Sequence, residues 1–400
     1  MSRTILLYGA TGYSGRLIAQ EAAAQLADQG AATGWRLVLA GRDIRPLKDW
    51  AARAGMECRG FSLDSAGPVR RGLADVDVVL NAAGPFGATA ERLAKSALDV
   101  RCHYVDINGE VDTYKRLDDQ GPQAVYRDLV LVCGAGHTAA ASDLMLIEAL
   151  ESLKNRMIPQ TKLGAIRIAM ARIPSLSHGS AETIWRSVRE QVAVVRDLGP
   201  QAGPASARLS HLPVGALERS FDFDAEPAAG RKDLRIVSAA NLIDTMTARL
   251  TAARLRWRVR EIESYVEVGA AARLGSVAAA VAAPLFASRW LRTLARTAFE
   301  MLPGGPTDEE RDEQPHTVLL SIESAQREPL IDWRLRTPNV YTLTARLALR
   351  VAQRLALGAP PRTGWLTPGE LLFDDGLRFS SPAASGPLRG CLLSPRTGQT

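Results

Sequence analysis

The sequence is poor in cysteine and contains no recognisable secretion signal. Its 400 residues include four cysteines, scattered without the paired spacing of a disulfide framework or the short intervals of a zinc site: Cys58, Cys102, Cys133 and Cys391. The residues after Met1 form an apolar strand pattern, without the charged region and cleavage site of a secreted protein. We therefore expect reduced structural thiols, no metal site and a cytoplasmic protein.

The sequence also has little excess charge outside one region. Its net charge is +6, and residues 230–300 account for all of it, with twelve Lys or Arg against six Asp or Glu. Aromatic residues make up only 6% of the chain, and no nucleic-acid-binding module is recognisable. We expect no nucleic-acid binding, and the basic region is interpreted as a solvated surface or one that faces a partner.

A hydrophobic run long enough to span a membrane is missing. The longest candidate, within residues 270–302, has fifteen uncharged residues between positions 274 and 288, interrupted by Pro284, whereas a spanning helix needs about 20. Two interpretations remain for this segment. It is either a helical hairpin that covers a sheet, or a basic surface for anionic lipid or an acidic carrier protein, which would make the protein peripheral to the membrane.

What the sequence does contain is a glycine turn between a predicted strand, residues 4–8, and a predicted helix, residues 16–27. The turn reads Gly9-Ala10-Thr11-Gly12-Tyr13-Ser14-Gly15. Glycines at this spacing allow a tight turn, a close backbone approach to a diphosphate and close packing of the helix on the strand. The helix N-terminus then faces the phosphates. The pattern favours a dinucleotide site over an ordinary tight turn.

A basic residue stands where NAD-selective proteins usually have an acidic one. The second predicted strand, residues 36–40, ends in Gly41-Arg42. An acidic side chain at this point holds the ribose hydroxyls, whereas a guanidinium suits a 2′-phosphate through charge-assisted hydrogen bonds. We therefore expect NADPH as the cofactor, with Gly41, Arg42 and Asp64, which follows the third predicted strand, among the residues that bind it. The alternative is a solvated loop arginine.

Strands and helices continue to alternate through the first 135 residues. Further strands are predicted over 56–63, ending near Asp64, and over 77–81, 102–107 and 129–132, with helices over 68–74, 89–98 and 111–124. The fourth strand leads into a loop of small residues, where open parallel sheets bind ligands: Asn81-Ala82-Ala83-Gly84-Pro85-Phe86. We predict an α/β protein whose N-terminal Rossmann domain has a doubly wound parallel sheet.

Several separated motifs together resemble one family. They are GATGYSGR at 9–16, LAGR at 39–42, NAAGPF at 81–86, HYVDINGE at 103–110, CGAGHTAAASDL at 133–144, GGPTDEERD at 304–312 and GWLTPGELL at 364–372. In order and approximate spacing they resemble the saccharopine dehydrogenase-like oxidoreductases, in particular the branch that includes bacterial trans-acting enoyl reductases. The resemblance implies that the 9–15 turn and Arg42 bind NADP and that the 81–86 loop lines the nicotinamide side.

The chain departs from this branch at two places. Relatives usually have a Phe-Asp-Ser-Val-Pro-Ser-Asp-like sequence where this chain has His137-Thr138-Ala139-Ala140-Ala141-Ser142-Asp143, so that the proline is missing and the histidine is new. An arginine-rich stretch, residues 249–260, replaces a shorter segment. Substrate identity is therefore left open.

The periodicity changes beyond residue 145. Strands are predicted over 164–173, 261–268, 316–324 and 330–335, with a helix over 182–198, which indicates a second α+β domain with a mixed, mostly antiparallel sheet. We predict three parts: an NADP-binding domain over 1–145, a substrate or interaction domain over 146–337, and a C-terminal part over 338–400, whose helix 340–357 returns to the first domain.

No single proton donor stands out. Tyr104 and Asp106 lie at the end of the fifth strand, His137 follows the sixth, and His178 precedes a predicted helix. Each is a candidate to deliver a proton. A histidine near a glycine turn is equally consistent with a hydrogen-bonded structural residue, and Asp106 with one that orients a loop.

The leading hypothesis is an NADPH-dependent reductase that transfers a hydride to an electron-poor C=C or C=N bond. The match at residues 304–312 puts a trans-acting enoyl reductase first. Its substrate, a small molecule or a carrier-bound acyl group, would lie between the domains, and the protein would be a monomer or a homodimer. One alternative is a saccharopine-type imine or amino-acid reductase. The other is a membrane-associated NADP-binding scaffold without catalysis.

Overall fold

The computed structural model describes residues 2–29, 33–156, 163–180, 191–196, 208–212, 216–223, 234–267, 304–381 and 386–396. The chain divides into two compact units. The first unit comprises Met1–Leu144, Val340–Arg378 and Ser385–Arg389, and the second comprises Met145–Asn339, Phe379–Ala384 and Gly390–Thr400. The basic segment proposed as a lipid or carrier surface, residues 270–302, lies outside the described residues.

The strands of the described ranges are, in chain order, β1 Arg3–Tyr8, β2 Trp35–Gly41, β3 Glu57–Gly60, β4 Val78–Asn81, β5 His103–Asp106, β6 Val130–Val132, β7 Leu163–Met170, β8 Val192–Arg196, β9 Arg208–Leu212, β10 Glu218–Asp222, β11 Leu234–Ala239, β12 Val259–Glu267, β13 His316–Ser324, β14 Pro329–Thr337, β15 Gly364–Leu366 and β16 Leu392–Pro395. The main helices are α1 Tyr13–Gln29, α2 Lys48–Arg53, α3 Ala66–Gly72, α4 Phe86–Asp99, α5 Val111–Asp118, α6 Gly121–Tyr126, α7 Ser142–Asn155, α8 Asp244–Arg254, α9 Asp308–Glu313, α10 Val340–Leu357 and α11 Pro368–Asp374.

The sheet of the first unit is parallel throughout. Its described strands follow the order β15-β6-β5-β4-β1-β2-β3, so that the chain order reverses between β1 and β4. This confirms the doubly wound Rossmann fold predicted from the sequence. The seventh strand, β15, was not predicted, because three residues are too few for a periodic signal.

One predicted helix is wrong in its extent. The helix expected over residues 111–124 is two helices, α5 and α6, separated at Asp119 and Gln120. Pro122 lies in the first turn of α6, where its missing N–H is not required by the helix. Pro122 therefore marks the start of a new helix and not the interior of a continuous one.

Helix α10, from the C-terminal part of the chain, belongs to the first unit and has its predicted bounds. Its buried face includes Leu343, Leu347 and Val351, none of which is exposed. It packs beside α1, where Gln353 donates a hydrogen bond from Nε2 to Oε1 of Gln25 over 2.8 Å. The amphipathic helix is thus held by burial along one side.

The second unit contains a mixed sheet. Its described strands follow the order β10-β11-β12-β7-β13-β14-β16, with β8 paired to β12 and β9 paired to β8. Among the strand pairs of the described ranges, β7 and β12 alone run parallel, and the other pairs are antiparallel. This confirms the predicted mixed, mostly antiparallel sheet.

The helix predicted over residues 182–198 is wrong at 192–196, which form strand β8, while residues 182–190, 197 and 198 lie outside the described residues. Val192 and Val194 point into a cluster of apolar side chains that includes Phe221 and Tyr265. Three of the five residues of β8 are valines, which are β-branched and pack well on a pleated surface. Tertiary packing thus overrides the helical periodicity.

A buried ionic cluster crosses the sheet of the second unit. The Glu263 side chain is not exposed, and its carboxylate lies 3.0 Å from Arg167 Nε and 2.7 Å from an Arg196 nitrogen, while the Tyr265 hydroxyl donates to it over 2.6 Å. Burial opposes the ionisation of Glu263, but the hydrogen bond from Tyr265 and the arginine charges outweigh it and hold its pKa below the ordinary value.

All four cysteines are free thiols. Within the described ranges, no group of His, Cys, Asp and Glu side chains is placed to hold a metal ion. None of the helices in the same ranges combines the length and the apolarity needed to cross a membrane.

We expect Glu263→Gln to destabilise the second unit by about 3 kcal/mol, because it removes the fully buried negative charge that Arg167 and Arg196 share while keeping the side-chain volume. Thermal unfolding measures the effect. Glu328→Gln, at an exposed carboxylate in the turn between β13 and β14 of the same unit, is the matched control and should leave the melting temperature unchanged. Equal melting temperatures for both variants would show that the cluster contributes nothing to stability.

Candidate functional site

The glycine turn after β1 has the backbone geometry that only glycine adopts easily. Gly9 has φ +89°, and its N–H donates to Ala40 O over 2.8 Å. The Gly12 N–H donates a hydrogen bond to Gly9 O over 3.0 Å, which closes the turn before α1 begins at Tyr13. A Cβ at Gly15 would lie 2.1 Å from Gly9 O. The first glycine therefore makes the turn, and the third lets the helix pack on the strand.

The turn after β1 lies directly against the loop after β4. A Cβ at Gly9 would lie 2.6 Å from Ala83 N and 2.8 Å from the carbonyl carbon of Ala82. The two loops meet because β1 and β4 are neighbours at the point where the strand order reverses. In open α/β sheets, this crevice at the carboxyl ends of the strands is the place where ligands bind. The two segments predicted to bind the cofactor are thus brought together.

The N-terminus of α1 opens into this crevice. It has no acidic residue in its first turn, so that the positive end of the helix dipole favours an anion there. The Tyr13 ring packs edge-on against the Tyr341 ring of α10, with 5.0 Å between centroids. This contact holds the first residue of the helix in place.

Arg42 lies exposed at the carboxyl end of β2. Within the described residues, no carboxylate comes within 4.0 Å of its guanidinium, whereas its neighbour Arg45 is paired with Asp43 over 2.7 Å. Burial raises the pKa of Tyr8 to about 12, and the charges of Arg42 and Asp64 act on it in opposite directions. Arg42 and Asp64, both predicted to bind the cofactor, therefore lie close enough to the Tyr8 hydroxyl to act on it.

Side chains hold the backbone of the 81–86 loop. Asn81 accepts from Ala83 N–H through Oδ1 over 3.0 Å and donates from Nδ2 to the Tyr104 hydroxyl over 3.1 Å. The Thr89 hydroxyl donates to Ala83 O over 2.6 Å. The loop conformation is thus determined by buried groups beneath it.

Tyr104 and Asp106 lie together beneath this loop, and neither is exposed. The Tyr104 hydroxyl donates to Asp106 Oδ2 over 2.9 Å, and Asp106 Oδ1 accepts from the backbone N–H groups of Asn108 and Gly134. Burial raises the pKa of Asp106 to about 6, although these hydrogen bonds lower it. The two candidate donors therefore tie together the carboxyl ends of β4, β5 and β6.

The two histidine candidates lie in different units. His137 begins a π-helical turn after β6, is 3% exposed, and donates from its backbone N–H to the Thr344 hydroxyl over 2.9 Å. His178 lies half-buried in the second unit, at a helical turn where Ser180 N–H donates to the Ser177 hydroxyl over 3.3 Å. That one of these four residues donates the proton stays a prediction.

One residue beside the crevice is missing from the predicted site. The Glu110 carboxylate accepts from Phe86 N–H over 3.2 Å and from Gly87 N–H over 2.9 Å, at the N-terminus of α4. No local pattern reveals this contact, because Phe86, the first residue of α4, lies 24 positions before Glu110 in the chain.

Comparison with known proteins agrees with this architecture. No protein-family model matches the chain. A probable mitochondrial saccharopine dehydrogenase-like oxidoreductase of Arabidopsis thaliana is 26% identical over 152 residues, which are 36% of this chain and 34% of that protein. The match therefore spans about a third of the plant protein.

Two solved structures resemble nearly the whole chain. Apo saccharopine dehydrogenase (L-Glu forming) from Saccharomyces cerevisiae superposes with a TM-score of 0.57 at 13% identity, covering 94% of this chain and 98% of that one. Homospermidine synthase from Legionella pneumophila in complex with NAD gives 0.59 at 10% identity, covering 99% and 91%. The fold is saccharopine dehydrogenase-like. These likenesses support the resemblance to the saccharopine dehydrogenase-like oxidoreductases, while the branch within them stays a prediction.

We expect Gly9→Ala to destabilise the first unit by about 1–3 kcal/mol. The alanine would have to adopt the left-handed backbone conformation of Gly9, and its Cβ would clash with the backbone of Ala83. Thermal unfolding measures the loss. The control is Gly67→Ala in α3, where the added Cβ meets only the flexible Arg71 side chain at 3.6 Å. An unchanged melting temperature for Gly9→Ala would contradict the loop contact.

The raised pKa of Asp106 predicts a pH-dependent stability. Between about pH 4 and pH 6, the folded protein retains a proton that the unfolded chain, with the ordinary Asp pKa of 3.8, has lost. The free energy of unfolding should therefore fall by up to about 3 kcal/mol as the pH rises through this window, and Asp106→Asn should lack this component. Urea unfolding across the window tests this, with the exposed Asp112→Asn as control. Parallel curves for the wild type and Asp106→Asn would refute it.

Proposed function

We propose that this protein is an NADPH-dependent oxidoreductase that binds the dinucleotide across the crevice between the turn after β1 and the loop after β4. The observation that carries the proposal is the combination of a glycine turn at the strand-order reversal with an exposed arginine, Arg42, that has no carboxylate partner among the described residues. Such a crevice is where doubly wound sheets hold nucleotides.

The diphosphate is assigned to the N-terminus of α1. Two helices begin beside the crevice, α1 after β1 and α4 after β4. At the N-terminus of α4, two backbone N–H groups already donate hydrogen bonds to the Glu110 carboxylate. The first turn of α1, by contrast, contains no acidic residue. Electrostatics therefore favours an anionic ligand at α1 and opposes one at α4.

Arg42 is assigned to the 2′-phosphate of the adenosine ribose. A guanidinium without an internal salt bridge is available for two charge-assisted hydrogen bonds to a phosphate. An acidic residue at this position would instead favour the free ribose hydroxyls of NADH. The NAD bound to the Legionella enzyme is a property of that protein and does not decide between NADPH and NADH for this chain. Arg42 is therefore the residue whose substitution tests this choice.

For the substrate, we favour an electron-poor C=N bond, as in the saccharopine-type alternative. The likeness to the yeast saccharopine dehydrogenase and to homospermidine synthase, over most of the chain, supports this choice. The 304–312 motif, which favoured a trans-acting enoyl reductase, has a structural explanation: Thr307 and Glu310 form a reciprocal capping box at the start of α9. Reduction of a C=C bond is therefore the second candidate.

When bound, NADPH would supply the hydride that reduces the carbon of the double bond, and the neighbouring atom would take up a proton. The chain's own contribution is to bind the two ends of the dinucleotide and to hold the 81–86 loop. Asn81, Tyr104 and Asp106 do the latter through their buried hydrogen bonds. The proton donor is to be sought among the four candidates named above.

The substrate class is tested by incubating the protein with NADPH and, in turn, cyclic imines, keto-acid plus amine pairs and carrier-bound enoyl thioesters. Loss of NADPH absorbance with the imine-forming mixtures supports the proposal, and loss only with enoyl thioesters favours the second candidate. NADPH binding without turnover on any class would favour the non-catalytic scaffold.

We expect Arg42→Ala to raise the Kd for NADPH by about tenfold to hundredfold while leaving the Kd for NADH within about twofold, because only NADPH carries the phosphate. Isothermal titration calorimetry measures both constants. Arg45→Ala is the matched control, since Arg45 is also exposed but is paired with Asp43. Preferential binding of NADH by the wild-type protein would overturn the cofactor assignment.

A further inference from the structure

The strongest unassigned feature of the first unit is the position of the Glu110 carboxylate. Glu110 follows β5 in the chain, yet its carboxylate accepts hydrogen bonds from two backbone N–H groups at the start of α4, those of Phe86 and Gly87. The Thr113 hydroxyl donates a third hydrogen bond to Oε2 over 2.9 Å. The half-buried carboxylate thus contacts the last residue of the 81–86 loop and the residue that follows it.

Glu110 is itself held in place. Its backbone N–H donates to Asn108 Oδ1 over 2.7 Å, and its carbonyl accepts from Asn108 Nδ2 over 3.1 Å. Asn108 is 1% exposed, and its own N–H is bound to Asp106. The carboxylate is therefore presented to the loop from a rigid base that begins at the buried end of β5.

The loop is consequently fixed at both of its ends. Asn81 holds Ala83 N–H at the start, and Glu110 holds Phe86 N–H at the end. Hydrogen bonds in which one partner is ionised are about twice as strong as neutral ones, so that the Glu110 end is the stronger attachment. Removing it should release the second half of the loop without disturbing the 9–15 turn or Arg42.

We propose that Glu110 is a positioning residue for the nicotinamide half of the cofactor, acting through the backbone of Phe86 and Gly87. The inference rests on the proposed function, in which the 81–86 loop lines the nicotinamide side. Glu110 sets the shape of the surface on which the nicotinamide riboside lies, and it has no part in holding the adenosine 2′-phosphate. Its loss should therefore affect one half of the dinucleotide only.

The test compares NADPH with 2′,5′-ADP, which has the adenosine 2′-phosphate but no nicotinamide. By calorimetry, we expect Glu110→Ala to raise the Kd for NADPH by about tenfold and to leave that for 2′,5′-ADP within about twofold. The fluorescence gain of bound NADPH, a property of the nicotinamide ring, should shrink in parallel. Glu110→Gln retains one accepting oxygen and the side-chain volume, so that it should recover part of the NADPH affinity.

Glu91→Ala is the matched control, because Glu91 is an exposed carboxylate on α4 that lies 3.8 Å from Arg116. It should leave both constants unchanged. Equal weakening of NADPH and 2′,5′-ADP in Glu110→Ala and Glu110→Gln would overturn the inference and indicate a general structural role. A wild-type protein that binds neither ligand would overturn the proposed function itself, which distinguishes the two failures.

Discussion

The first unit depends on one close approach, that of the Gly9 backbone to the backbone of Ala82 and Ala83. This contact joins the turn after β1 to the loop after β4, and there is no space in it for a side chain. It exists because β1 and β4 are hydrogen bonded in the centre of the parallel sheet, from Ile5 opposite Val78 to Tyr8 opposite Asn81. The crevice, the N-terminus of α1 and the surface expected to receive the nicotinamide all take their positions from it.

Beneath this contact, buried polar groups connect the ends of three neighbouring strands. Asn81 of β4, Tyr104 and Asp106 of β5 and the backbone after β6 form one continuous set of hydrogen bonds. Such a set is costly to bury unless every member is satisfied, and when satisfied it specifies a single arrangement. Two of the residues considered as proton donors are thus part of the support of the loop.

Motifs that are far apart in the chain meet in the first unit. Asp143 accepts from Gly369 N–H over 2.8 Å, so that the 133–144 and 364–372 motifs are in direct contact. A Cβ at Gly369 would lie 2.4 Å from that carboxylate, which explains the glycine. Trp365 donates to the Tyr114 hydroxyl over 3.0 Å and lies in β15, the strand that extends the sheet beside β6.

The sequence by itself determined the alternation of strands and helices in a doubly wound sheet, the glycine turn and the place of Arg42, because strand and helix periodicity and glycine spacing are local properties of the chain. It also predicted the mixed second sheet, but not β8, since valine-rich segments take their structure from what they pack against. Only the tertiary structure decided the contacts of Glu110 and Glu263 and the place of β15. Each depends on partners distant in sequence, and the energy of a buried carboxylate or an edge strand is set by those partners and not by the residues beside it.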